Sequence, residues 1–215
     1  MLSRRRSILA VLTVTLVVPA ATGSAQPVAA EQQQERIAAA FVIALGRTST
    51  AVETEQWAKH GGLSVADLIA RHREGLQADA NARRAVVSKA GQDAFGTKPS
   101  DEATAKLSGV GTYTDLMKRH IAWLAEHPAD YEQVMHRAYR LLLQRDAYSV
   151  EIDYWKRQPT LSFALLVGCI EDWARRNRPG LMATTGVASV SVNSPYLVTV
   201  RLSPAVAREA RAAAG

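Results

Sequence analysis

Apolar residues recur three and four positions apart along most of the chain, which is the period of a helix with one buried face. The first apolar stripe begins at Ile37 and stops at Gly46. Two further helices then begin at Thr50 and Ser64, each with an acidic residue three positions later. Such a pair satisfies free backbone N–H groups at a helix start. The pattern therefore predicts three helices over residues 35–78.

The same three-helix pattern occurs twice more, at 84–127 and 132–176, with offsets of 50 and then 48 residues. A period near 50 with one supersecondary unit per copy is typical of a helical array. We predict an all-α domain over 35–181 made of three tandem three-helix units, about nine helices. One irregular nine-helix domain is the alternative. The landmarks that align are Gly46-Arg47 with Trp57, Gly96-Thr97 with Leu107, and Gln144-Arg145 with Trp155.

The pattern changes after Pro179-Gly180, where apolar residues begin to alternate with polar ones. This period of two predicts a β-hairpin over Val187–Leu202 with one apolar face. Ser203-Pro204 then has the signature of a helix start, so that 187–215 forms a hairpin plus a short terminal helix. An isolated hairpin is marginally stable in water, so its apolar face must cover something. Two candidates stay open: the last helical unit, or the sheet edge of a partner protein.

The N-terminus has the pattern of a secretory signal peptide, predicted at residues 1–25. A basic segment, Arg4-Arg5-Arg6, precedes the apolar run Ile8–Val18, and small residues lead to a cleavage site after Ala25. A membrane anchor is the weaker alternative, because spanning a bilayer takes roughly 18–20 apolar residues. Residues 26–34 are polar and predict a short tether. We expect export to the periplasm, the outside of the cell or its surface, with no stable membrane span once the leader is removed.

Composition adds little to this picture. The net charge of +6 includes the three leader arginines, and the remaining positive and negative charges are interspersed, so no basic face for nucleic acid is visible. Arg5-Arg6 loosely resembles a twin-arginine export signal, although ordinary Sec export is favoured. The single cysteine, Cys169, lies in an apolar helical stretch, and we predict a buried small side chain. A reactive or intermolecular thiol is the alternative.

The stretch 134–173 resembles a bacterial helical-repeat domain of unknown function found in secreted and cell-surface proteins. That domain has an aromatic residue, then Leu-Leu, Gly-Arg-x-Pro-Asp, Gly and Tyr-Trp. The sequence departs from it at Ala147-Tyr148, where the domain has Pro-Asp, and at Glu53, Ala103 and Glu151, where it has the later glycine. The resemblance implies a surface or assembly role and supplies no catalytic residues. The matching positions are Tyr139, Leu142, Leu143, Arg145, Tyr154 and Trp155 in the third unit, Phe41, Leu45, Gly46, Arg47 and Trp57 in the first, and Gly96 and Pro99 in the second.

The histidines and tryptophans are candidate binding residues. His72 and His120 occupy equivalent places on apolar stripes, where Ile170 stands in the third unit, so we predict core histidines rather than a metal site. The other histidines are expected at helix ends: His60, His127 and His136. An aromatic surface for sugars is the alternative for the tryptophans, but helical spacing favours core packing, and it places Tyr139 and Tyr154 in the core as well. The tryptophans are Trp57, Trp123, Trp155 and Trp173.

Two arginines and two pairs of adjacent carboxylates are the remaining candidate functional residues. Arg47 and Arg145 each follow a helix end, where we expect them to bind the last carbonyl groups; holding a neighbouring unit's acidic residue is the alternative. Adjacent carboxylates do not face each other on a helix, so they predict solvated surfaces and no acid–base pair. These are Glu151 with Asp153 and Glu171 with Asp172.

No catalytic, cofactor-binding or metal-ligating residues are therefore assigned, and no cofactor is expected. The sequence predicts an exported, non-enzymatic interaction or structural module, with a partner of the envelope or surface bound through Val187–Leu202. The alternative is an enzyme or a sugar-binding protein with a site between helical units.

Overall fold

The computed structural model describes residues 25–107, 109, 111–177 and 200–215. These residues form ten helices and no strand, which confirms the all-α prediction for the described part of the chain. The helices are α1 (Ala25–Leu45), α2 (Ala51–Ala58), α3 (Val65–Ala78), α4 (Ala80–Phe95), α5 (Asp101–Leu107), α6 (Tyr113–Glu126), α7 (Pro128–Leu143), α8 (Ser149–Lys156), α9 (Phe163–Asn177) and α10 (Pro204–Ala214).

The first nine helices follow one another as a long helix, a short helix and a second long helix, three times over. We call α1–α3 the first helix group, α4–α6 the second and α7–α9 the third. Within each group the two long helices pack together: α1 on α3, α4 on α6, and α7 on α9. Between groups, the first helix of one packs on the last helix of the next, so that α1 contacts α6 and α4 contacts α9.

Local sequence signals place several helix starts where the sequence predicts them. The hydroxyl groups of Thr50, Ser64 and Thr112 each accept a hydrogen bond from the backbone N–H three residues later. In all three cases the acidic side chain at that later position accepts from the cap's own backbone N–H, which closes a capping box. Ser100 and Ser162 accept equivalent backbone hydrogen bonds at the starts of α5 and α9.

The first helix of each group is longer than its apolar stripe indicated. Residues 26–34 are not a tether, because they lie inside α1. Helices α4 and α7 also begin before the predicted positions, each separated from the preceding helix by a single residue. Asp79 and His127 are these single-residue junctions. The apolar period misses such starts, because the first turns carry polar or small side chains without a buried stripe.

The C-terminal segment is described only in part. Most of the hairpin predicted over Val187–Leu202 lies outside the described residues, and the part that is described, 200–202, is not a strand. The predicted terminal helix is confirmed as α10, with Ser203 as its N-cap. Its apolar side packs on α1 and α3, and Arg36 forms a two-pronged ion pair with Glu209 at 2.8 and 3.0 Å. Residues 202–210 therefore contribute to the core of the first helix group.

An aromatic ring sits on a glycine at each boundary between groups. Gly46 ends α1 with a φ of 70°, and a Cβ added there would lie 2.5 Å from the Tyr113 ring at the start of α6. Gly96 ends α4 with a φ of 73°, and its Cβ would lie 2.7 Å from the Phe163 ring at the start of α9. Both positions thus require glycine for its left-handed backbone and for the space it leaves.

Replacement of Gly96 by alanine is expected to destabilise the protein more than the same change at Gly62. Both residues have a positive φ, but nothing lies within 4 Å of a Cβ at Gly62. The difference therefore isolates the contact with Phe163. We expect Gly96→Ala to lower the free energy of unfolding by about 1–3 kcal/mol more than Gly62→Ala, as overpacking does in well-packed cores. Urea denaturation measures both; equal losses would contradict close packing at this boundary.

Candidate functional site

Arg47 and Arg145 do not bind the last carbonyl groups of the preceding helices, so that prediction is wrong. Arg47 makes two hydrogen bonds to the Glu53 carboxylate, at 2.6 and 2.8 Å, and Arg145 makes two to Glu151, both at 2.8 Å. Each glutamate belongs to the same helix group as its arginine, which also excludes a bridge to a neighbouring group. We call each pair an arginine clamp. The hydrogen bonds from Arg47 lower the pKa of Glu53 to about 2.

Each arginine clamp lies over an aromatic residue of the preceding long helix. The guanidinium carbon of Arg47 is 5.2 Å from the Phe41 ring centre, and that of Arg145 is 5.2 Å from Tyr139. The Trp155 indole N–H donates to the Tyr139 hydroxyl at 3.2 Å. A guanidinium that already holds a carboxylate and stacks on a ring has few donors left for a substrate. The clamps therefore join the first two helices of their groups.

The two core histidines are confirmed as buried. His72 lies between Phe41 and Trp57, with ring centres 4.5 and 4.3 Å away, and His120 lies 4.9 Å from Phe95. In both, Nε2 is buried with no hydrogen-bond partner. Burial, assisted by the nearby Arg47 charge, lowers the pKa of His72 to about 4. Burial also lowers the pKa of His120.

The remaining histidines divide differently from the prediction. His60 is exposed just after α2, and His127 is the junction between α6 and α7, where its Nδ1 lies 2.8 Å from the Trp123 carbonyl. His136 is not at a helix end, because it lies in the middle of α7. Across the described residues, no group of three or more histidine, cysteine or acidic side chains could hold a metal ion.

The prediction of core packing is wrong for two of the four tryptophans. Trp57 and Trp155 pack against the cores of the first and third groups, whereas Trp123 and Trp173 are each 48% exposed. Cys169 is exposed too, contrary to the prediction. Helical spacing places a residue on a face of its helix, but it cannot say whether a neighbouring helix covers that face.

Three of the four adjacent carboxylates are paired with arginines rather than with each other, and the fourth, Asp153, is exposed as predicted. Glu171 is buried and ion-paired with Arg175, and Asp172 is exposed and ion-paired with Arg176. Burial of Glu151 acts to raise its pKa, but the hydrogen bonds from Arg145 and the Tyr148 backbone outweigh it and leave the pKa lowered. A solvated face is therefore wrong for Glu151 and Glu171, while the geometry offers no pair of carboxyl groups for acid–base chemistry.

The clearest candidate is an exposed aromatic surface on α8, formed by Tyr148, Val150 and Tyr154, which we call the α8 surface. Their exposed fractions are 61%, 69% and 50%. The Arg145 guanidinium lies 4.0 Å from the Tyr148 ring centre, and Trp155 meets Tyr154 edge to face at 5.1 Å. These contacts hold two tyrosine rings in place at the surface. Tyr154, which helical spacing assigned to the core, is therefore a surface residue.

The first helix group shows that folding does not require this surface. At the positions aligned with Tyr148 and Tyr154 it has Thr50 and Gln56, and only Val52 matches the exposed Val150. Exposed aromatic side chains that are rigidly held are typical of binding surfaces, because little conformational entropy is lost on contact.

Comparison with known proteins gives no identity: no family model, curated protein or solved structure matches the chain. Among the described helices, none combines the length and apolar composition needed to cross a membrane.

The buried His72 predicts a loss of stability in mild acid. Its pKa is lowered to about 4 in the folded protein, whereas an exposed histidine titrates near 6.5. The unfolded chain therefore binds the proton first, and the free energy of unfolding falls as the pH drops from about 6.5 to about 4, by roughly 3 kcal/mol for this group alone. Chemical denaturation at a series of pH values measures this slope.

His72→Phe keeps a flat ring between Phe41 and Trp57 and removes the titration. We expect this variant to lose much of the slope between pH 6.5 and 4. The matched control is His60→Gln, which changes an exposed imidazole and should keep the slope of the unaltered protein. An unchanged slope in His72→Phe would show that His72 does not set the acid sensitivity.

Proposed function

We propose that the chain is an exported, non-enzymatic interaction or structural module of the periplasm or cell surface. The α8 surface carries this proposal, because two tyrosines are held exposed in the third helix group where the first has threonine and glutamine. The candidate polar groups of the described residues serve folding instead: the arginine clamps join helices and the buried histidines pack between rings.

The helical-repeat interpretation belongs to the same proposal. Two features support it: arginine clamps at aligned positions in the first and third groups, and an aromatic ring on a glycine at both group boundaries. Arrays of this kind present surface positions that can vary from repeat to repeat without disturbing the stacking. The third group would then carry the binding residues.

The hairpin predicted over Val187–Leu202 remains a second contact surface in this proposal. Strand addition to a partner's sheet edge would use backbone hydrogen bonds, with the alternating apolar residues as side-chain contacts. Because α10 is part of the first group's core, an experiment on the hairpin must leave residues 200–215 in place. Deleting the whole of 187–215 would uncover apolar side chains and confuse binding with unfolding.

Export is tested by the mass of the protein recovered from fractionated cells. We expect the chain outside the cytoplasm, with its first residue at Gln26, because the small residues before that position suit signal peptidase. Replacing Ala25 with a bulky residue such as phenylalanine should block cleavage at this position. Recovery of the full-length chain in the cytoplasm would contradict export.

Partner contact is tested with a photo-crosslinking amino acid placed at Val150. We expect a discrete crosslinked product in intact cells, and its loss when Tyr148→Thr and Tyr154→Gln are combined with it. These two substitutions copy the first helix group, so they should leave the fold unchanged. The matched control is a crosslinker at Val52, which is exposed to a similar extent (64% against 69%) and should give no such product.

Identical products from Val52 and Val150, or none from Val150, would exclude the α8 surface as the contact site. A crosslinker at Val198 reports separately on the predicted hairpin. A crosslinked product from Val198 but not from Val150 would show that the partner binds the hairpin instead of the α8 surface.

A further inference from the structure

Trp123 is an exposed indole that its neighbours hold in one orientation. It lies one turn before the junction of α6 and α7, and 48% of its surface is open to solvent. The His127 imidazole stacks on it, with ring centres 3.6 Å apart and planes inclined by 8°. The indole N–H donates to the Asp130 carboxylate at 3.0 Å. The indole is thus fixed by a stacked ring and a hydrogen bond, and much of it remains accessible.

The junction between α3 and α4 shows that the fold does not need this arrangement. The positions aligned with the three residues are Gly75, Asp79 and Ala82. There, the Asp79 carboxylate accepts hydrogen bonds from the backbone N–H groups of Asn81 and Ala82 and so caps α4. An acidic N-cap of this kind stabilises a helix start.

At the α6–α7 junction the N-cap residue of α7 provides no such stabilising hydrogen bond. His127 makes no side-chain cap hydrogen bond to α7, and its ring stacks on Trp123 instead. Pro128, at the first turn, tolerates the missing cap because it has no N–H to satisfy. The junction therefore exchanges a helix cap for an oriented, exposed indole, which points to a use for the indole outside folding.

We propose that Trp123 is a stacking platform for a pyranose sugar ring, with Asp130 as the acceptor for a sugar hydroxyl. A pyranose has a flat C–H face that stacks on an indole and a rim of hydroxyl groups that need acceptors. A carboxylate can accept about four hydrogen bonds, so Asp130 keeps capacity after binding the indole N–H. Its negative charge disfavours phosphate groups at the same place. Fixing the ring beforehand lowers the entropic cost of binding.

This site is distinct from the α8 surface, because Trp123 lies on α6 and Asp130 on α7. The sugar could be a free oligosaccharide or part of an insoluble polysaccharide, and the pyranose ring is common to both. Failure of the crosslinking experiment at Val150 would leave this proposal standing, and the reverse also holds.

The test follows the indole N–H signals of the ¹⁵N-labelled protein by NMR. The four tryptophans give four such signals, and the spectrum of Trp123→Phe identifies the one from Trp123. The probes are cellotriose, maltotriose and the trimer of N-acetylglucosamine, with choline and inorganic phosphate as charged comparisons. We expect at least one saccharide to shift the Trp123 signal and to saturate. Sedimentation with cellulose, chitin and isolated peptidoglycan then distinguishes soluble from polymeric ligands.

The variants decide whether the platform carries the binding. Isothermal titration calorimetry measures binding without the Trp123 signal, and by it we expect Trp123→Ala to weaken saccharide binding at least tenfold and Asp130→Ala to weaken it several-fold, with far-ultraviolet circular dichroism unchanged. Trp173→Ala is the matched control, because Trp173 occupies the aligned position in α9 and is equally exposed. It should bind as the unaltered protein does.

Three results would overturn the proposal. The first is no shift of the Trp123 signal with any saccharide and no sedimentation with any polysaccharide. The second is a shift with choline or phosphate in place of the saccharides, which would assign the site to an ion. The third is an equal loss of binding in Trp173→Ala and Trp123→Ala, which would show that the oriented indole of Trp123 is not the cause.

Discussion

The packing of an aromatic ring on a left-handed glycine is the contact on which the arrangement of the helix groups depends. Each group has amphipathic helices, whose apolar stripes need neighbours to cover them. Tyr113 and Phe163 bring the last helix of one group against the end of the previous group's first helix, at Gly46 and Gly96. Any side chain at those glycines would separate the groups. A second contact strengthens the first boundary, where the Thr114 hydroxyl of α6 donates to the Ile43 carbonyl of α1 at 3.0 Å. Within the second group, the Tyr113 hydroxyl donates to the buried Asp93 of α4 at 2.8 Å and so holds the ring in place.

Inside the first and third groups, the charged residues that resemble a binding site stabilise the fold instead. The arginine clamps connect a long helix to the first turn of the short helix that follows, and they lie over the aromatic residues Phe41 and Tyr139. The second group lacks such a clamp at the aligned positions, which hold Thr97 and Ala103. There, Pro99 packs on Gly91 instead, close enough that a Cβ on the glycine would lie 2.9 Å away. An ion pair thus connects the first two helices in the first and third groups, and an apolar contact connects them in the second.

Differences between aligned positions carry the functional argument. The α8 surface and the Trp123 indole both stand where the first helix group has small or polar side chains, so that group folds without them. Both consist of aromatic rings held by neighbours rather than left free. The terminal helix α10 has the opposite character: its apolar residues, Val206 among them, are buried against α1 and α3, so it belongs to the fold.

The sequence by itself determined the features that depend on nearby residues. Capping pairs such as Thr50 with Glu53 act within one turn, so they predicted helix starts, and the 3.6-residue period predicted the all-α class and the buried His72 and His120. Tertiary structure decided which outward faces stay uncovered and which partner each long side chain takes. Tyr154 and Trp123 have the same spacing as core residues, and Arg145 could reach several groups. Exposure and ion pairing depend on helices distant along the chain, and one helix's periodicity carries no information about those neighbours.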